Sequence, residues 1–349
     1  MKVGVPASAS SSSKRQRCHI LHKFSYSSIA PQVNQQLHRE FSGMGIHSFE
    51  IIVGIDFGTT HSGVSWAANG ASKTIRLINT WPDPQAQNAS KEKVPSSISY
   101  QNGVPKNWGY VVGLNDESFR WVKILLEENH KYATTVAPVN TLLRKVEKTA
   151  QDVVSDYLKL IWDYTIDDIK KFHPEDTFDL RVILTVPAIW SAAAKDKTLR
   201  AAKSAGIPGR IKLVTEPEAA ALATLKEKAD ENQLKVGDAF VVCDAGGGTV
   251  VGPKLRPGLD YLRRGGLCGS AFLDVAFIKH IETLVGATQY QDIKESNRKR
   301  MMKDFEFGIK RCFSGKNDPD FSVELIGVKD DPGSGIVDDT IVIKPLSSL

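Results

Sequence analysis

Asp56-Phe57-Gly58-Thr59-Thr60 follows an apolar run at 51–55 and precedes another at 64–67, a pattern that suits phosphate chemistry. Glycine lets the backbone approach a ligand closely. Turn N–H groups and the two hydroxyls can donate to phosphate oxygens, and Asp56 can hold a hydrated divalent cation. An ordinary hairpin with a Gly-Thr turn would read the same way. The pattern returns at 239–250, where an apolar run ends in Asp244 and continues Ala245-Gly246-Gly247-Gly248-Thr249. Triple glycine alone suggests a flexible turn. Two strand–Asp–Gly–Thr units in one chain predict two related lobes, each offering a phosphate loop to a nucleotide in the cleft between them.

The remaining sequence must position these turns. Residues 72–113 alternate short β-like runs with Pro, Asn and Gly turns. The spacing of Phe119, Val122, Leu125 and Leu126 predicts a helix over 117–131, and a longer one is expected over 141–172, packed on the first sheet. A buried strand at 182–187 precedes a helix at 192–205 that stops at Gly206. Further helices are expected over 215–230, 271–286 and 292–313, with strands at 320–327 and 336–345.

Composition sets the class. The chain has 349 residues, 41% of them apolar and 24% charged, values typical of a globular protein with room for two or three domains. No stretch approaches a membrane-spanning run. Residues 1–48 hold six Lys or Arg against one Glu, which accounts for the whole formal excess of +5. The rest is balanced, so no nucleic-acid surface is implied. That Ser-rich leader reads as a disordered extension, or as a mitochondrial transit peptide. Cysteines at 18, 243, 268 and 312 show neither zinc spacing nor a disulfide framework. Cys243 is expected as a reduced core thiol, which suits the cytoplasm.

Three more segments carry a resemblance. Residues 182–191 (Val-Ile-Leu-Thr-Val-Pro-Ala-Ile-Trp-Ser), 213–223 (Leu-Val-Thr-Glu-Pro-Glu-Ala-Ala-Ala-Leu-Ala) and 266–274 (Gly-Leu-Cys-Gly-Ser-Ala-Phe-Leu-Asp) complete a set of five whose order and spacing resemble the heat-shock protein 70 family. That family belongs to the actin-like ATPase superfamily. The resemblance runs from about residue 51 to 325 and is closest to a divergent, fungal-type branch. It implies an α/β fold with two ribonuclease H-like lobes: a leader at 1–48, lobe I at 49–233, and a partial lobe II at 234–349.

It also implies an ATP-binding, chaperone-type ATPase domain using ATP or ADP and magnesium, with client proteins and co-chaperones as partners. On this likeness Asp56 and Asp244 organise the cation through water, and Glu216 is the cleft carboxylate. Gly58, Thr59 and Thr60 hold phosphates from one side and Gly246, Gly247, Gly248 and Thr249 from the other, with Gly269 beside them. Lys310, Arg311 and Ser314 match the adenosine-contacting segment. Glu216 could instead cap the 215–230 helix, and Lys310–Arg311 could be a solvated helix end.

Three departures stand against the pattern. Val251 replaces an aspartate, and the strand returning over 251–264 looks lost to Pro- and Arg-containing sequence. The family's catalytic lysine has only Lys106 and Lys123 as candidates. The chain ends at Leu349, before the family's adenosine loop. Hydrolysis could therefore be impaired, leaving a non-hydrolysing nucleotide switch or scaffold. A sugar kinase of the same superfamily fits the Glu-Pro and Val-Pro-Ala segments less well. A Walker-type loop is excluded, because Gly308 and Gly315 are separated by six residues instead of four.

Overall fold

The computed structural model describes residues 50–69, 74–84, 91–113, 115–128, 133–174, 178–227, 240–248, 250–256, 259–266, 268–315 and 317–344. The basic leader, the expected lobe boundary at 233 and Thr249 lie outside these residues.

Alternation dictates the first strand, β1 (Glu50–Asp56): Ile51, Val53 and Ile55 are buried on one face. It turns through 57–60 into antiparallel β2 (His61–Ala68), with Asp56 directly opposite Gly63. Short strands β3 (Arg76–Leu77) and β4 (Val94–Pro95) pair with β2, while β5 (Ile98–Gln101), β6 (Val104–Trp108) and β7 (Ser118–Phe119) form a small separate sheet. On the other side, β1 runs parallel to β8 (Asp179–Val186), and β8 runs parallel to β9 (Arg210–Thr215). The order is β3-β2-β1-β8-β9.

The parallel crossover from this hairpin to β8 needs helices. They are α1 (Ala133–Lys145) and α2 (Ala150–Lys170), the second burying Val153, Val154, Tyr157, Leu158, Ile161 and Ile169 in one core with β1 and β8. The single helix expected over 141–172 is thus two. Glu147 is left-handed (φ 54), and the Lys148 N–H closes back on the Leu143 carbonyl, ending α1. Thr149 and Asp152 then form a reciprocal capping box that starts α2. No α-helix covers the described part of 117–131 either. Phe119 pairs opposite Ile98, Trp121 is left-handed (φ 60), and only a 3-10 turn follows at Val122–Leu126. Phe119, Val122 and Leu126 are buried in the same core, so their spacing mimics a helix without being one. After β8 come α3 (Ala192–Ser204), which ends at Gly206 (φ 79), then β9 and α4 (Glu216–Glu227).

The second part opens with β10 (Phe240–Val241), β11 (Asp244–Ala245), β12 (Val250–Arg256) and β13 (Leu259–Gly266). The returning strand expected to be lost is present: β12 pairs with β10 and β11 along one edge and with β13 along the other. Proline is tolerated because Gly252–Pro253 falls opposite the break between β10 and β11, where that edge needs no ladder N–H. At that break Val242 turns inward and Cys243 outward, so Cys243 is exposed and not the core thiol expected.

Next come α5 (Ser270–Val285), α6 (Ala287–Asp292) and α7 (Glu295–Asp304), the last running into a π turn at Phe305–Lys310. The helix expected over 292–313 is therefore shorter and changes pitch. Strands β14 (Phe321–Glu324), β15 (Ile336–Val337) and β16 (Thr340–Ile343) form a sheet in the order β14-β16-β15. The strand expected over 336–345 is a hairpin, because Asp338 and Asp339 both take positive φ (49 and 54), as a two-residue primed turn demands. Phe277, Ile281, Met301, Val323, Ile336 and Ile341 form a second core, in which Phe277 and Phe305 stack 4.0 Å apart. Lys299 of α7 reaches back to the amino-terminal part, donating to the carbonyls of Gly113 (3.4 Å) and Asp116.

The capping box at the head of α2 gives a direct test of this local account. Thr149→Ala should cost about 1 kcal/mol, read as a lower urea midpoint with an unchanged denaturant slope.

Candidate functional site

Asp56 ends β1 with both carboxylate oxygens engaged. Oδ1 accepts from Thr185 Oγ1 at 2.9 Å, and Oδ2 accepts from Lys93 Nζ at 2.7 Å. Thr185 is available because β8 lies alongside β1. The turn beyond Asp56 needs Gly58, where a Cβ would sit 2.1 Å from the His61 carbonyl. Ser96 fixes the turn: its Oγ donates to the Gly58 carbonyl (2.7 Å), its N–H donates to the Thr60 carbonyl (2.8 Å), and Ser62 Oγ lies 2.9 Å from its hydroxyl.

Lys123 reaches the same turn from the 3-10 segment. Its side chain is 2% exposed, and Nζ donates to Glu216 Oε1 at 2.6 Å and to the Phe57 carbonyl. The rings of Phe57 and Trp190 flank the ammonium at 5.2 and 5.5 Å. Of the two lysines that sequence offered, Lys123 is therefore in the cluster. Lys106 is 3.7 Å from Asp116 instead. Glu216 does not cap its helix by its own side chain: the Thr215 N–H and hydroxyl donate to Glu218 Oε2 at 3.0 and 2.7 Å, so Glu218 takes that role.

The second turn meets the first. A Cβ on Gly247 would lie 2.6 Å from Thr60 Oγ1, and one on Gly248 would lie 2.4 Å from Thr59 Oγ1. Only glycine permits so close an approach. Gly269 is equally constrained, since its Cβ would meet the Gly246–Gly247 backbone at 2.5 Å. The N–H groups of Gly269, Ser270 and Ala271 donate to the carbonyls of Gly248, Gly246 and Gly247 at 3.2, 3.0 and 2.8 Å. The glycine turn thus satisfies the first N–H groups of α5 while facing Thr59 and Thr60.

Charge in the cluster is unevenly compensated. Burial would raise Asp56, yet Lys93, Lys123 and the Thr185 hydroxyl hold it below the usual carboxylate range. Burial lifts Glu216 above that range despite Lys123. Asp244 is pushed up to about 7, by burial and then by the negative charge of Glu216 and Asp56. Among the described residues no group of three or more His, Cys, Asp or Glu side chains is close enough to ligate a metal directly. Asp56 and Asp244 are oxygen donors, the type that suits a hard, hydrated cation.

Lys310 and Arg311 share Glu306 in a neighbouring cluster, whereas Ser314 bonds Asp318 instead. Lys310 is 9% exposed and bonds Asp274 Oδ1 and Glu306 Oε2, both at 2.7 Å. It is therefore no solvated helix end. Arg311 Nε lies 3.3 Å from Glu306 Oε1, and the Ser314 N–H donates to Asp318 Oδ2 at 2.6 Å. Glu306 stands four residues before Lys310 in the π turn, and the two pair across that turn. Lys93 escaped the sequence reading, and Thr185 and Trp190 entered it only as members of the 182–191 segment with no role of their own, because those roles come from a neighbouring strand or loop.

His61 lies within the electrostatic reach of both clusters, and burial holds it down to about 4 against the pull of Glu306. The unfolded chain therefore takes up the proton first. His61's contribution to stability should be complete above about pH 6.5 and lost as pH falls toward 4, by at most about 3 kcal/mol. In NMR its imidazole should not titrate between about pH 5.5 and 8, and His61→Gln should flatten the stability slope below pH 6.5.

No family model matches the chain. It is 30% identical over 203 residues to the chaperone protein DnaK of Mycoplasmopsis agalactiae, covering 57% of this chain and 29% of that protein. To heat shock 70 kDa protein 12B of Homo sapiens it is 29% identical over 196 residues, covering 50% and 28%. To a chaperone protein HscA homolog of Rickettsia rickettsii it is 29% identical over 213 residues, covering 57% and 31%. The chain thus spans less than a third of the length of these relatives, and its similarity to heat-shock 70 chaperones covers about half of it.

Proposed function

We propose that this chain is a two-lobed nucleotide-binding domain of the heat-shock 70 kind, which holds ATP or ADP where its two glycine turns meet and hydrolyses ATP there. One observation carries the reading. Lys123 converges with Glu216 and the Phe57 carbonyl at the tip of the first strand–Asp–Gly turn, and the second such turn touches it. Similarity to DnaK and HscA chaperones supports the same assignment.

Phosphoryl transfer to water needs neutralised oxygens and a held nucleophile. In this reading the turn N–H groups and hydroxyls of Gly58, Thr59 and Thr60, with Gly246, Gly247 and Gly248 opposite, bind the phosphates. Lys123 donates to the attacking water or to a phosphate oxygen, and Glu216 orients that lysine and accepts the proton. Magnesium, when bound, supplies positive charge to the phosphate oxygens. Asp56 and Asp244 hold its water shell, the set to which the unbalanced charge at Asp244 points. Lys310, Arg311 and Ser314 face the nucleoside. Clients and co-chaperones would respond to the nucleotide state of such a domain. Among the described residues no helix is long and apolar enough to cross a membrane.

Calorimetric titration of the full chain with magnesium and ATP, followed by phosphate release, tests the reading. Lys123→Ala should keep ATP binding within about tenfold while lowering phosphate release at least about a hundredfold. Failure of the folded protein to bind ATP would remove the proposal. Binding without release would leave a nucleotide switch.

Asp244 adds a pH signature. A carboxyl at about 7 must lose its proton to hold the cation, so magnesium-dependent ATP affinity should rise between about pH 6 and 8. Asp244→Asn should remove that rise.

A further inference from the structure

Three carboxylates, Asp56, Glu216 and Asp244, act on one another electrostatically at the cleft, and Lys123 serves Glu216. The second ammonium of the cluster comes from Lys93, in the segment leading into β4. Its Nζ sits 2.7 Å from Asp56 Oδ2, and the side chain keeps 29% of its surface exposed while the carboxylate keeps 12%.

Several features build this position. Gly63 lies directly across the hairpin from Asp56, and a Cβ there would meet Lys93 Cγ at 3.3 Å and Cε at 3.8 Å. The bare backbone at Gly63 therefore leaves the path along which the lysine stem reaches Asp56. The Lys93 carbonyl accepts from Tyr110 Oη at 2.8 Å, which anchors the base of the stem. Two residues on, Pro95 pairs with His61, and Ser96 then holds Gly58 and Thr60. The segment that shapes the phosphate-side turn thus also carries the ammonium.

We infer that Lys93 is a built-in cation of the phosphate site, which lets the chain bind ATP with a weakened requirement for a divalent ion. This rests on the nucleotide reading above. A partly exposed lysine ammonium is long and mobile enough to pass from Asp56 to a phosphate oxygen without leaving the cleft. It does there, as a point charge, part of what an external cation would otherwise do. Where a hydrated cation approaches Asp56, it meets a carboxylate already partly neutralised. The role concerns binding and involves no bond making.

The test is calorimetric titration of the full chain with ATP, once with excess magnesium and once with excess EDTA. For each protein the readout is the ratio of the two dissociation constants. Lys93→Gln should raise that ratio about tenfold or more over wild type, the worth of one charge-assisted hydrogen bond. Lys93→Arg should keep it near the wild-type value. Lys91→Gln removes the same charge at the Asp83 ion pair instead, and should leave the ratio unchanged. Should Lys93→Gln fail to fold, Gly63→Ala crowds the Lys93 stem and the Glu92 carbonyl, both 3.3 Å from the new Cβ, without altering charge, and should move the ratio in the same direction.

Equal ratios, within about twofold, in wild type and in the Lys93→Gln or Gly63→Ala variant would overturn the role of Lys93 and leave nucleotide binding standing. No ATP binding by the folded wild type in either buffer would overturn both.

Discussion

A lysine ammonium cannot be buried without acceptors, and this requirement at Lys123 organises much of the cluster around it. Its side chain is 2% exposed, so the Phe57 carbonyl and Glu216 must both reach it. That condition fixes three pieces of chain that are remote in sequence: the tip of the first hairpin, the 3-10 turn and the start of α4. The left-handed Trp121 and the short turn after it become intelligible in this light. A regular helix over the same residues would not pair Phe119 with β5, nor would it leave Val122 to Leu126 folded as a tight turn against the core. Breaking such a pair from one side strands a charge and costs about 3–5 kcal/mol.

The second constraint is steric. Thr59 and Thr60 press on Gly248 and Gly247, and Gly269 presses on the backbone of the same turn. Any side chain at these positions would separate the turns. The N–H groups at the head of α5 meanwhile bond the glycine carbonyls, so the helix and turn hold each other. A movement that separates the turns must therefore either carry α5 along or break those bonds. Lys299, bonded to the carbonyls of Gly113 and Asp116, ties α7 to the amino-terminal part at another point.

Much of this was legible in the sequence because the informative residues act locally. A strand ending in Asp, then Gly and Thr, names its own geometry, and Gly206 announces the end of α3. The failures share a cause: the deciding partner lies elsewhere in the chain. Apolar spacing over 117–131 could not disclose that Phe119 pairs with Ile98. Pro253 looked like a strand breaker until the gap between β10 and β11 lay opposite it. Cys243 looked internal from its apolar neighbours, but alternation turned it out. Lys93 carried no signal at all, since its meaning comes from the glycine it crosses and the aspartate it meets.

The distribution of charge gives the site its direction. Two ammonium groups, Lys93 and Lys123, stand among three carboxylates, and they attach to Asp56 and Glu216. Asp244 has neither as a bonded partner, and burial, then the negative charge of Glu216 and Asp56, lifts its carboxyl to about 7. A cluster so arranged favours added positive charge on the side of the second turn and already carries positive charge on the side of the first. In the proposed function, phosphate oxygens at these turns would meet a lysine on the side of Asp56 and bring a cation to the side of Asp244. The asymmetry between the two aspartates, which the repeated sequence pattern conceals, follows from the partners that Asp56 bonds, Lys93 and Thr185, and from burial beside two carboxylates at Asp244.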